Sequence, residues 1–105
     1  MNKNLLGYLL CLIHVAVFSQ LTHPLRWPID TPHVITGNYG ELRPNHFHAG
    51  IDFSTNGKIG LPVYAVADGY VSRIKISAGG YGKALYLEHT SGNTLSLYAH
   101  LNIYA

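Results

Sequence analysis

The residues best placed to do chemistry lie in one short stretch, Asn45 to Asp52, which reads NHFHAGID. Within it His48 and Asp52 are four positions apart, and His46 lies two before His48. An imidazole nitrogen and a carboxylate oxygen make a good ligand pair for a borderline cation such as Zn2+. On a fully extended strand the two side chains would stand roughly 13 Å apart, at about 3.3 Å per residue. Tetrahedral zinc, with bonds of about 2.0–2.2 Å, needs donor atoms only about 3.3 Å apart. Sharing a metal therefore requires the chain to bend between them, and Gly50 can supply the bend. As a bare spacing, His-x-x-x-Asp more often marks a structural or surface pair than a metal site, so the surrounding sequence has to decide.

The elements that must position these residues read as β-structure. His33 to Tyr39 is short and β-branched, a first strand interrupted by Gly37. Glu41 to Asn56 is loop-rich. Leu61 to Val66 reads as a short strand, Asp68-Gly69 as a hairpin turn, and Tyr70 to Ser77 as an alternating strand. That alternation sets Tyr70, Ile74 and Ile76 on one face and Arg73 and Lys75 on the other. Ala78 to Gly82 is a turn, Lys83 to His89 a strand, Ser91 to Asn93 a turn, and Thr94 to Leu101 the last strand. In that last strand Leu95, Leu97, Ala99 and Leu101 share a face that belongs against a core. Ser96, Tyr98 and His100 share the other, which either is solvated or borders a site. Turn signals every 8–12 residues with short alternating runs give an all-β fold of antiparallel sheets. No helical period, internal repeat or low-complexity tract interrupts it.

The 105-residue chain has room for one domain. Residues 1–19 are expected to stand apart from it as a signal peptide. Lys3 supplies a positive charge, and Leu5 to Phe18 an apolar run of 14 residues, within the roughly 7–15 of a signal core and short of the roughly 20 that span a bilayer. Val17 and Ser19 suit cleavage before Gln20. Export follows, to the periplasm, cell envelope or extracellular space. Cys11, the single cysteine, lies inside the apolar run, and Leu10 before it argues against lipidation. Any metal site of the mature chain must then be built from His, Asp and Glu. Residues 20–32, rich in proline, read as an extended leader with Trp27 as an anchor. With Lys3 set aside, six basic residues face five acidic ones. That near-balance, without a basic patch, excludes nucleic acid as a partner class.

The neighbours of the His-Asp pair carry a more specific signal. HAGID is followed by GKIGLPVYAVADGYV, then by GGYGK and finally by LYAHL. This ordered set of four motifs, from Gly40 to Leu101, resembles the lysostaphin-like (LytM-type) zinc metallopeptidases of family M23. The resemblance implies antiparallel sheets of the duplicated-hybrid-motif type. It implies that His48 and Asp52 are zinc ligands and that His100, in Tyr98-Ala99-His100, activates water or stabilises the developing oxyanion. It also implies peptidoglycan stem peptides as substrate, cut by an endopeptidase. The family's third ligand comes from a later His-x-His motif, and none follows His100. Together with the open apolar edge of the last strand, this gives the expectation that residues 33–105 form the N-terminal part of the peptidase domain and are inactive alone.

The remaining histidines fit the pattern less closely. His46 matches no ligand position and reads as a neighbour of the site or a surface residue. His89 reads as structural, and His23 and His33 as incidental. Arg43 is open between a bond to a ligand, a bond to a substrate carboxylate, and solvent. Two rival readings exist. One is a non-catalytic LytM-type module that binds cell wall or regulates an amidase. The other is a biotinyl- or lipoyl-like carrier, suggested by Pro62 to Val71, for which Lys83 lacks the flanking pattern.

Overall fold

The computed structural model describes residues 24–104; the expected signal peptide lies outside them. Five antiparallel strands form two sheets, and no helix occurs among the described residues. β1 (Ile35–Gly37) pairs with β2 (Asp52–Phe53), and β3 (Gly69–Ile76), β4 (Lys83–His89) and β5 (Thr94–Tyr98) form a meander in that order. The all-β antiparallel expectation holds.

Several local expectations change. Leu61 to Val66 is extended but is no strand. It runs antiparallel to the leader, with Arg26 N–H donating to Val66 O and Tyr64 N–H to Pro28 O, both at 2.8 Å. The return bonds are missing because Pro28 has no N–H and because Val66 N–H is taken by the Tyr98 hydroxyl at 2.8 Å. Only half a ladder forms.

The face assignment of β3 also changes. Val71 opposes Leu87 while Arg73 opposes Tyr86, so Ser72 is the extra residue of a bulge. The bulge moves Tyr70 to the face of Arg73 and Lys75, away from Ile74 and Ile76. There the Tyr70 hydroxyl donates to Glu88 Oε2 at 2.6 Å, and the Arg73 guanidinium lies over the Tyr86 ring at 5.3 Å. Asp68-Gly69 is likewise a bend into β3 and not a hairpin tip. Gly69 sits so close to the Glu88 carbonyl that any Cβ would collide with it.

The last strand stops at Tyr98. His100 adopts a left-handed conformation with φ 57°. Its N–H bonds Tyr81 O, and that of Leu101 bonds Lys83 O, out of the β4–β5 register. Within the sheet the expected burial fails at Leu95, while Ser96, Leu97 and Tyr98 are all half-buried. Leu95 is 53% exposed, whereas Ser96 and Tyr98 face the buried His89 and Leu87. His89 is structural, as expected. Its Nδ1–H donates to Asp68 O at 3.0 Å, its Nε2 meets Ser96 Oγ at 2.9 Å, and Ser96 Oγ meets the Tyr98 hydroxyl at 3.1 Å. This polar chain reaches Val66 and ties the leader-bound segment to the meander.

The buried apolar side chains among the described residues are Ile29, Ala84 and Leu87. The leader contributes Ile29, and it also binds the small sheet. Trp27 stacks on His33 with ring centroids 4.3 Å apart and meets Phe53 edge-on at 5.8 Å. Thr31 Oγ1 donates to Ser54 O at 3.4 Å. The strands of the two sheets do not lie against one another; the leader bridges them.

Candidate metal centre

The stretch that reads as a loop contains a tight hairpin. Pro44 and Asn45 form its tip, a position where proline's fixed φ is favourable. Arg43 N–H donates to His46 O at 2.9 Å, Leu42 bridges Phe47, His48 N–H donates to Glu41 O at 2.8 Å, and Gly40 N–H donates to His48 O at 2.7 Å. The hairpin returns the chain to His48. A bend at Gly50 then carries it into β2, where Asp52 pairs with Gly37 of β1. The bend falls where the sequence placed it.

The consequence is that His48 Nε2 and Asp52 Oδ1 lie 3.1 Å apart. The His48 ring, its side chain 18% exposed, holds its other nitrogen against Asn38 O at 2.9 Å. A carbonyl only accepts, so Nδ1 carries a proton and Nε2 is the ring atom that faces the carboxylate. Two acceptors facing each other at this distance need a cation between them, either a proton on Nε2 or a metal ion. The separation is close to the roughly 3.3 Å between donors on tetrahedral zinc. A backbone carbonyl behind the imidazole is the usual partner of a metal-bound histidine. The two donors suit part of a metal site, and a third protein ligand would be needed to complete it.

Asp52 has one oxygen committed elsewhere. Its Oδ2 accepts from Arg43 Nη2 at 3.1 Å, and the same Nη2 donates to Glu41 Oε2 at 3.1 Å. Arg43, left open by the sequence, therefore bonds a candidate ligand. The pairing depends on Gly37, because a Cβ there would collide with Asp52 Oδ2 and lie 2.6 Å from Arg43 Nη2. Asn38, Glu41 and Gly37 are contributors that sequence reasoning did not single out. The Pro44-Asn45 turn signature between Leu42 and Phe47 could have revealed the hairpin that assembles them.

The other expected site residues stand apart. His46 is exposed and bonds Asn45 Oδ1 through Nδ1 at 2.6 Å. Among the described residues no third His, Cys, Asp or Glu joins His48 and Asp52. His100 lies past the end of β5, exposed, and no hydrogen bond or ion pair of the described residues joins it to the pair. Tyr98 does not share a site face with His100, because its hydroxyl is spent on Val66 and Ser96.

Residues 46–105 match Peptidase family M23, more than half of the chain and the stretch that holds His48, Asp52 and His100. The chain belongs to this family. It is also similar to an uncharacterized metalloprotease of Haemophilus influenzae, with 40% identity over 63 residues, 60% of this chain. The matched stretch spans 12% of that protein's length. No solved structure matches. Peptidase family M23 and a metalloprotease relative agree with the cation-demanding geometry of the His-Asp pair.

Proposed function

We propose that the protein acts as an exported zinc metalloendopeptidase on the peptide cross-links of bacterial peptidoglycan, with His48 and Asp52 as two zinc ligands and His100 as the catalytic histidine. The observation that carries this reading is the approach of His48 Nε2 to Asp52 Oδ1 at 3.1 Å, with the imidazole proton held on the far side by Asn38. Family membership supports the reaction class, and the apolar run from Leu5 to Phe18 supports export. Peptidoglycan stem peptides are the substrate that the family resemblance and export imply together.

Zinc, when bound, supplies a Lewis acid that polarises the scissile carbonyl and makes water acidic enough to attack near neutral pH. The chain's own residues do the rest. His48 turns Nε2 toward the site because its Nδ1–H is held by Asn38 O, and a proton on Nε2 gives way to the metal as it enters. Asp52 offers Oδ1 and lowers the charge of the site. His100, exposed at the end of the meander, can take up a proton or donate a hydrogen bond to the developing oxyanion.

Metal content and cleavage of muropeptide dimers by the full-length protein, with the His-x-His motif that the family resemblance implies, test the proposal. The expected result is one zinc per chain, lost in His48→Ala and in Asp52→Ala together with any hydrolysis. Undiminished zinc binding by both variants would refute it. Zinc retained with no cleavage of any cross-linked peptide would favour the non-catalytic wall-binding module.

A further inference from the structure

The bonds behind the two candidate ligands form a closed ring. His48 Nδ1–H donates to Asn38 O at 2.9 Å, and Asn38 N–H donates to Glu41 Oε2 at 3.3 Å. The same Oε2 accepts from Arg43 Nη2 at 3.1 Å, and Arg43 Nη2 reaches Asp52 Oδ2 at 3.1 Å. Asp52 Oδ1 returns to His48 Nε2 at 3.1 Å. Both ligands are thus braced from behind by one carboxylate, Glu41, through two routes. Arg43 Nε is buried without a partner, so the guanidinium is held by its two carboxylates at the expense of one unmatched donor.

We infer that Arg43 is a positioning residue that confines Asp52 to binding a metal through one oxygen, and that this makes the site prefer zinc to larger, oxygen-seeking cations. The inference rests on the zinc-site reading above. A carboxylate free to turn can offer both oxygens, which suits Ca2+ with its six to eight oxygen ligands and bonds of about 2.3–2.6 Å. With Oδ2 held by Arg43, only Oδ1 faces His48, and a one-oxygen, one-nitrogen pair about 3.3 Å apart suits tetrahedral zinc. Gly37 enforces the arrangement, since no side chain fits between β1 and the Arg43–Asp52 pair. The charges are consistent. Glu41, Arg43 and Asp52 sum to one negative charge, which attracts a cation.

The full-length protein, stripped of metal, is titrated with Zn2+, Mn2+ and Ca2+ in turn, and the zinc-loaded form is studied by X-ray absorption. In Arg43→Gln the zinc affinity should fall about 10–100-fold, the usual cost of losing a partner behind a ligand. The ratio of zinc to Ca2+ affinity should fall with it, and the absorption spectrum should gain an oxygen neighbour from Asp52. Arg43→Lys should recover part of the affinity but not the selectivity, because an ammonium cannot hold two carboxylates in a fixed fork. Glu41→Gln, which leaves the Arg43–Asp52 pair formed, should weaken zinc binding without adding the second oxygen, and the circular dichroism of each variant controls for a folding defect. Wild-type affinity and an unchanged metal ratio in both Arg43 variants would overturn the inference and leave the zinc site standing. Failure of the unmodified full-length protein to bind zinc would overturn both.

Discussion

At the scale of single residues, the site divides into a part written locally and a part written by the fold. His48, Gly50 and Asp52 sit within five positions, and the need for a bend between two donors leads directly from their spacing to the observed approach at 3.1 Å. Arg43 was not decidable in the same way, because an arginine nine residues from a carboxylate carries no signal until a hairpin brings it back. The role assigned to His100 yields its own prediction. His100→Ala should keep its zinc, since His100 bonds neither His48 nor Asp52, yet lose turnover by about 10²–10⁴-fold, the contribution typical of a general acid or base. Metal analysis alongside muropeptide cleavage checks it, and a His100→Ala protein cleaving at the full rate would remove the histidine from the mechanism.

At the scale of elements, β4 was legible to the residue because its alternation and flanking turns agree, whereas the ends of β5 and the faces of β3 were not. A bulge at Ser72 leaves no mark in composition, and it shifts every later side chain of β3 to the other face. The exposed pair that results, Tyr70 and Glu88, can be titrated. The hydrogen bond to Glu88, and secondarily its negative charge, raise the Tyr70 pKa above its usual value. Protonated phenol is the favoured form, so the interaction is complete below about pH 10 and fades as pH rises through the raised value. Phenolate absorbance should show one tyrosine titrating late, and Glu88→Gln should bring it back among the others; an unaltered titration would contradict the pairing. The hydroxyl of Tyr98 is a second element-scale device. Tyr98→Phe leaves Val66 N–H without its acceptor and should cost about 1–3 kcal/mol, read as a lower urea midpoint. No loss of stability would mean that the clamp between leader and meander lies elsewhere.

At the scale of the molecule, the leader was read as extended with Trp27 as its anchor, and it does more than that. It supplies Ile29 to the buried set, half a ladder to Tyr64 and Val66, and Trp27 to the small sheet that carries Asp52. Proline-rich sequence disguises this role, because its pairing uses carbonyls and one N–H where a strand would use both. The molecule-wide consequence of one local feature concerns His100. A side chain in the left-handed region costs on the order of 1 kcal/mol against a glycine in the same place. His100→Gly should therefore raise the melting temperature of the protein while removing the imidazole, and a lower melting temperature would show the conformation to be unstrained. Thermostability and the proposed catalysis are set in opposition at this position. A chain selected for robustness alone would be expected to carry glycine or asparagine there.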